Sequence, residues 1–175
     1  MGFMPTLITL MALGSVALNV ALILGTIVAC VPAWRARVFP TVRNNARVIV
    51  FLLSALSVAG TLLLQYAGAL NPCVLCWWQR VFMYPIVIIS FIAFLKNTDF
   101  SGIADYVLAM SVVGGAIALY QHLLQVLPSG LLIPCDAAGD CSVRSVFKFG
   151  FVTIPWMALS VFAVFVLIAI IARKK

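Results

Sequence analysis

Long uncharged runs dominate the chain and predict five membrane-spanning helices. A bilayer core of about 30 Å requires about 20 helical residues. Five segments meet that length, or nearly so, without an interior charge, apart from one arginine near the start of the third. The predicted spans are 5–31, one crossing within 48–79, 78–95, 105–126 and 149–172. We therefore predict an all-α integral membrane protein that forms a single membrane domain over residues 1–175.

The composition excludes most classes of soluble protein. Charged residues make up 9% of the 175 residues and apolar residues 65%, whereas soluble domains carry about 25% charged residues. So little charge rules out a soluble enzyme, a disordered chain and a nucleic-acid-binding protein, despite the net charge of +7. The chain has four aspartates and no glutamate, which disfavours catalysis by paired carboxylates.

The positive charges predict the orientation in the membrane. Eight of the eleven lysines and arginines fall in the loop 32–47, the loop 96–105 and the C-terminus. The other three are Arg80, Arg144 and Lys148. Because basic residues accumulate on the cytoplasmic side, we expect the C-terminus in the cytoplasm and the N-terminus outside. The first span lacks the early positive charge of a signal peptide, so we expect it to be retained.

A Cys-x-x-Cys pair lies where the second span ends and the third begins. Cys73 and Cys76 follow Pro72, a residue that suits the start of a helix. The unpaired N–H groups of a helix N-terminus stabilise a thiolate, and such cysteine pairs exchange disulfides readily. Arg80 follows one helical turn later, and we favour a role in holding an anion over a simple interfacial anchor.

A second cysteine pair, Cys135 and Cys141, lies in the outer loop 127–148. Two aspartates and a glycine lie between them, which predicts an exposed and accessible disulfide loop. Both pairs fall on the predicted outer, oxidising face, whereas Cys30 stands alone at the cytoplasmic end of the first span.

Three interpretations of the four outer cysteines remain open. They form a redox relay, two structural disulfides or a zinc site. The relay is favoured because a Cys-x-x-Cys at the end of a span is accompanied by a second outer pair. Zinc is disfavoured by the five-residue separation of the second pair, and we expect no metal site.

Few other polar residues lie within the spans. Gln65 precedes Cys73 by about two helical turns, and His122 lies near the end of the fourth span. A histidine there is typically a hydrogen-bonded interfacial residue, with a proton-transfer role at a reducible headgroup as the alternative.

The segment Asn71–Arg80, with the sequence NPCVLCWWQR, resembles the signature of the disulfide bond formation protein B (DsbB) family. Tyr120, Gln121 and His122, the later cysteine pair and Pro155-Trp156 are also similar. The resemblance covers about residues 46–172 and implies a four-helix transmembrane bundle. The short spacing of the second pair resembles that of the smaller members. The span 5–31 is then an extra N-terminal helix without a counterpart in the family plan.

The resemblance implies a membrane disulfide oxidoreductase of the bacterial inner membrane. Such proteins reoxidise a DsbA-like thiol oxidase and pass electrons to membrane quinone, either ubiquinone or menaquinone. Cys135 and Cys141 would exchange with the partner, and Cys73 and Cys76 would pass electrons to quinone. Arg80 would bind the quinone, with His122 and Gln65 as further candidates. The alternatives are an enzyme like vitamin K epoxide reductase, in which the Cys-x-x-Cys comes after the loop cysteines, and a non-enzymatic membrane protein with structural disulfides.

Overall fold

The computed structural model describes residues 3–127 and 141–173, and every described long element is a helix. The helices are α1 (Phe3–Cys30), α2 (Pro32–Tyr66), α3 (Val74–Leu95), α4 (Ala104–Val126) and α5 (Ile154–Arg173). A short 3₁₀ helix at Phe100–Gly102 precedes α4. All five long helices are apolar enough and long enough to cross a membrane. The prediction of an all-α protein with five spans is confirmed.

Helices α2 to α5 form a four-helix bundle, and α1 packs on its outside against α2 and α5. Helix α1 runs antiparallel to α2, because Met4 lies beside Gly68 and Met11 beside Gly60. Half of the most apolar window of α5 is buried, against 11% of that of α1. Helix α5 is therefore the central element, while α1 exposes most of its surface to the surrounding lipid.

A close helix contact joins α4 to α5 at Gly114. Phe162 is fully buried there, and a Cβ atom on Gly114 would lie 2.5 Å from Phe162 Cζ. Helices in membranes associate largely through packing, so small residues that let two backbones approach are valuable at such sites. Gly114 thus seats the aromatic ring that fills the centre of the bundle.

The segments that were predicted to share one membrane face do lie at one end of the bundle. Arg47 Nη1 donates a hydrogen bond to the Thr98 carbonyl at 3.3 Å. Arg173 Nε lies 2.9 Å from Asp105 Oδ1. We call this the basic end, formed by residues 30–47, 96–105 and 173, and call the opposite end, residues 67–73 and 141–153, the cysteine end.

The predicted loop 32–47 is helical, which corrects the sequence interpretation. Helix α2 begins at Pro32, directly after Val31, and continues without interruption through Pro40. Proline suits the first turn of a helix, and arginine is a good helix former. The cluster of charges marks where the apolar segment ends, but it does not mark where the helix ends.

The last helix also begins later than its uncharged run. The predicted span 149–172 starts in the structure at Ile154. Lys148 and Val152 instead exchange two backbone hydrogen bonds of 2.9 Å, which closes a tight turn. Thr153 follows that turn, and its hydroxyl accepts a hydrogen bond from the first turn of α5. An N-terminal cap of this kind satisfies a donor that the helix leaves unpaired.

Candidate functional site

Cys73 and Cys76 occupy the N-terminus of α3. Cys73 is the extended residue that precedes the helix, and its carbonyl accepts a hydrogen bond from the Trp77 N–H at 3.2 Å. Helix α3 starts at Val74, four residues before the predicted start of this span at Trp78. Both cysteines therefore lie at the helix end where unpaired N–H groups favour negative charge.

Three of the cysteines converge at this point. The Sγ atoms of Cys73 and Cys76 are 3.3 Å apart, and the thiol of Cys141 lies within hydrogen-bonding reach of Cys73. The hydrogen bond with Cys76 lowers the pKa of Cys73, and the contact with Cys141 lowers it further, against the opposing effect of burial. A thiolate is the nucleophilic form of cysteine, so Cys73 is prepared for disulfide exchange.

Gln121 on α4 contacts both thiols. Its Nε2 donates to Cys73 Sγ at 3.1 Å and to Cys76 Sγ at 3.3 Å. Its Oε1 accepts from Gln79 Nε2 at 2.6 Å, which fixes the orientation of the amide. Gln121 is 1% exposed, so these hydrogen bonds are shielded from water and the amide is held toward the sulfur atoms.

Arg80 lies one turn beyond Cys76 and is buried. Its Nη1 donates to Gln65 Oε1 and its Nη2 donates to the Thr61 carbonyl at 3.4 Å. The guanidinium also stacks over the Trp77 ring at 5.0 Å from the centroid. All of these partners are neutral. The two aspartates among the described residues lie at the basic end, so the cation at the cysteine end has no described carboxylate to balance it.

These groups open onto a cavity of about 810 Å³. Its wall includes Cys73, Cys76, Arg80, Gln65 and Gln121. The remaining wall is mainly apolar and comes largely from α1, α2 and α5, with further residues from α3, α4 and the segments at the cysteine end. Small-molecule sites typically measure about 300–1,000 Å³ and combine apolar walls with a few polar groups. The cavity has the size and the polarity of a site for a largely apolar molecule with a polar headgroup.

Comparison with known proteins assigns the family. The model of the family described as "Disulfide bond formation protein DsbB" matches residues 43–172. The chain belongs to the DsbB family. Disulfide bond formation protein C of Bacillus subtilis is 36% identical over 126 residues, which covers 68% of this chain and 89% of the relative. A probable disulfide formation protein C from Halalkalibacterium halodurans is 36% identical over 128 residues, 71% of this chain and 91% of the relative. No solved structure matches the chain.

The DsbB-family match coincides with the helices that form the site. The matched region takes in α3, α4 and α5 and most of α2, and leaves out α1. The predicted extra N-terminal span is therefore a real helix outside the family pattern. The resemblance suggested by the segment Asn71–Arg80 is confirmed.

The structure brings together most, but not all, of the predicted site residues. Cys73, Cys76, Arg80 and Gln65 share the cavity wall. Cys141 also lines it, but is 1% exposed, which corrects the expectation of an accessible residue. It is buried because the chain after it packs onto the end of the bundle. Cys135 lies outside the described residues.

His122 does not line the cavity. Its Nδ1 lies 2.9 Å from Thr153 Oγ1, and its ring packs against Trp156 at a centroid distance of 4.9 Å. His122 directly follows Gln121 in the chain, and the rotation of about 100° per residue around the helix turns it toward the start of α5. In this protein His122 contacts α5 from α4, and the residue before it, Gln121, lines the cavity.

Sequence reasoning missed the functional position of Gln121. It was noted only as part of the family likeness, beside His122. The informative signal was its helical spacing from Gln125, which also lines the cavity and donates to the carbonyl of Val143 at 3.1 Å. Two buried amides one turn apart indicate a polar stripe that faces the interior.

We expect Gln121→Leu to slow alkylation of Cys73 about tenfold at near-neutral pH, because hydrogen bonds to charged groups contribute about 1.5–3 kcal/mol, part of which Cys76 retains. Removal of the amide donor raises the pKa of the Cys73 thiol and so lowers the thiolate fraction. The measurement is the rate of reaction with iodoacetamide across pH, in protein whose other cysteines are replaced by serine, except Cys76.

Gln121→Glu is the matched variant. It keeps an oxygen that can accept from Gln79, but it supplies no amide donor to the sulfur atoms and adds negative charge. Alkylation should therefore slow at least as much as in the leucine variant. If the glutamate variant reacted at the wild-type rate, the residue would act only through its bond to Gln79.

Proposed function

We propose that this protein is a quinone-dependent disulfide oxidoreductase that reoxidises a DsbA-like thioredoxin-fold enzyme and so supports disulfide formation in exported proteins. The observation that carries the proposal is the convergence of the Cys73 and Cys76 thiols and the buried Arg80 on one apolar-walled cavity. Membership of the DsbB family supports the same reading. A purely structural role for the cysteines gives no reason for a buried cation beside them.

The cavity residues fit a quinone. The wall is mainly apolar, as an isoprenoid molecule requires, and its thiols and its guanidinium group lie toward the cysteine end. A quinone supplies an acceptor for two electrons and two protons when it is bound. Oxidation of the Cys73–Cys76 dithiol to a disulfide releases the same number of both. Arg80 would hold the polar ring, with Gln65 keeping the guanidinium in place.

The contact between Cys141 and Cys73 supports a route between the two pairs. The partner's dithiol reduces the Cys135–Cys141 disulfide and leaves as a disulfide itself. The Cys141 thiolate then attacks Cys73 in the Cys73–Cys76 disulfide and displaces the Cys76 thiolate. Attack by Cys135 on Cys141 restores the loop disulfide and releases Cys73 as a thiol. The loop pair is unchanged over the cycle, and two electrons have moved from the partner to the Cys73–Cys76 pair.

The burial of Cys141 assigns different roles to the two loop cysteines. An exchange with a soluble protein requires a sulfur that reaches solvent, whereas an exchange with a lipid-soluble acceptor requires thiols at membrane depth. Cys141 is buried against Cys73, so it faces inward. The partner therefore attacks Cys135, and Cys141 transfers the electrons to the cavity.

The cysteine end faces the extracytoplasmic side of the bacterial cytoplasmic membrane, because eight of the eleven lysines and arginines belong to segments at the opposite end or to the C-terminus. The chain provides exposed positions at both ends for a test. A membrane-impermeant maleimide should label Ser145→Cys in intact cells and Asp99→Cys only after permeabilisation, in a background that lacks native thiols. The reverse pattern would invert the topology.

The decisive experiment is quinone reduction by purified protein. With a reduced thioredoxin-fold oxidase as donor, the protein should reduce ubiquinone-1 or menadione catalytically, and both cysteine pairs should become reduced when quinone is withheld. Cys30→Ser, at the basic end, is the control and should retain full activity. Cysteines whose redox state ignored the quinone supply would be structural, and the proposal would be wrong.

A further inference from the structure

Helix α1 lies outside the region matched by the DsbB family, yet it forms one wall of the cavity. The family match begins at residue 43, after α1 has ended at Cys30. Six α1 residues nevertheless line the cavity, together with residues of α2 and α5. They are Leu7, Leu10, Met11, Gly14, Ser15 and Leu18. The role of this helix is therefore not explained by the family's common core.

Specific contacts hold α1 in that position. A Cβ atom on Gly60 of α2 would lie 2.8 Å from Met11 Cε, and one on Gly25 of α1 would lie 2.8 Å from Leu167 Cδ2 of α5. Glycine at such positions allows close helix approach in a membrane. Ser160 of α5 also donates to Asn19 Oδ1 of α1 at 3.2 Å. Helix α1 is thus docked on both α2 and α5 along much of its length.

The wall that α1 supplies extends from the polar end of the cavity into its deeper part. Met4 stands beside Gly68 and Met11 beside Gly60, so the antiparallel register places Gly14 near Ser57. Ser57 precedes Gln65 by eight residues, which is about 12 Å along a helix. Thr61, whose carbonyl accepts from Arg80, lies one helical turn from Ser57, so Gly14 meets the part of a bound molecule just beyond a ring that Arg80 holds.

The cavity extends up to the backbone of α1 at Gly14. A Cβ atom built there meets nothing within 4 Å, although the residue lines the cavity. The neighbouring wall residues Leu10, Met11 and Leu18 are large and apolar. A position without a side chain, between larger residues, leaves a space whose width depends on residue 14.

We propose that α1 is a built-in wall for the apolar tail of the electron acceptor, and that Gly14 sets how bulky a tail the site admits. The inference rests on the proposed function, since it concerns the same cavity. Helix α1 packs against both α2 and α5, so a tail in the cavity meets protein on the α1 side as well as on the sides of α2 and α5. The ring remains at the cysteine end with Arg80.

The test compares acceptors with the same ring and different tails. Gly14→Phe in the full chain should raise the KM for ubiquinone-6 about tenfold, equivalent to about 1.4 kcal/mol of lost binding. The KM for ubiquinone-1, whose tail is a single isoprene unit, should stay within about twofold. Ala17→Phe is the matched control, because Ala17 is exposed on the same helix and does not line the cavity, and both KM values should be unchanged.

Leu18→Ala, at a partly buried position deeper in the same wall, is a second variant that removes bulk and keeps the inference testable if Gly14→Phe does not fold. It should raise the KM for ubiquinone-6 severalfold and leave that for ubiquinone-1 unchanged. Equal effects on both quinones, or no effect in either variant, would overturn the role of α1. Failure of the wild-type protein to reduce either quinone would instead refute the proposed function, which is a different result.

Discussion

Cys141→Ser is expected to lower the rate of partner oxidation by at least about a thousandfold, as loss of a reacting nucleophile typically does. The reason is positional. Cys141 is the loop cysteine that lies against Cys73, so no other described sulfur can pass electrons from the loop to the Cys73–Cys76 pair. The Cys73–Cys76 dithiol should still be oxidised by added quinone, because its own contacts are intact.

The variant should also trap an intermediate. When the variant is mixed with the oxidised partner, the Cys135 thiolate attacks the partner's disulfide and displaces one of its thiols. Without Cys141, no loop thiol can then displace the partner from Cys135, so this mixed disulfide should be visible on non-reducing gels. Cys30→Ser provides the control, because Cys30 lies at the basic end. If Cys141→Ser oxidised the partner at the normal rate, the loop pair would be structural and the transfer route would be wrong.

The number and type of the helices could be predicted from the sequence because a bilayer imposes a long uncharged run on every crossing. The ends of the helices could not. The arginine-containing segment 32–47 was interpreted as a loop, yet it forms the first part of α2. Hydropathy predicts where the chain leaves the lipid, but it does not predict where the helical backbone ends. Similarly, residues 149–153 are uncharged but form a turn and a cap before α5.

The chemistry of the site was predictable where the residues are close in sequence. Cys73, Cys76 and Arg80 lie within eight residues of one another on the start of a single helix, so their proximity follows from helical geometry. Gln121 and Cys141 reach the same point from α4 and from the segment before α5. Their positions depend on how these elements pack, which an apolar pattern on all faces of each helix does not reveal.

The choice between His122 and Gln121 shows the same limit. Both are polar residues near the end of one span, and the functional prediction was made for His122 because its side chain can gain or lose a proton near neutral pH. Which of them faces the cavity depends on the rotation of α4, and that is fixed by contacts such as Gly114 against Phe162. If α4 were rotated by the 100° that separate neighbouring residues, His122 would face the cavity and Gln121 would not.

Arg80→Ala is expected to weaken the apparent affinity for quinone by about one to two orders of magnitude, because a charge-assisted contact contributes about 1.5–3 kcal/mol. Arg80 is 8% exposed and its described partners, Gln65, Thr61 and Trp77, are neutral. A buried cation in a membrane protein is costly without a counter-charge. In the proposed function, Arg80 stabilises negative charge that develops on the bound acceptor or on a thiolate.

Arg80→Lys should give an intermediate affinity, since the ammonium keeps the charge but lacks the planar guanidinium that contacts Gln65, the Thr61 carbonyl and the Trp77 ring together. Thiol exchange with the partner should be largely spared in both variants, because that step takes place at the loop pair.

Arg144→Ala is the matched control. Arg144 also lies at the cysteine end and stacks on an aromatic ring, 5.2 Å from the Phe147 centroid, but it is exposed. The measurement is the KM for quinone at saturating reduced partner. A KM for Arg80→Ala equal to that of the wild type would reduce Arg80 to an interfacial anchor and remove the strongest electrostatic argument for a quinone in this cavity.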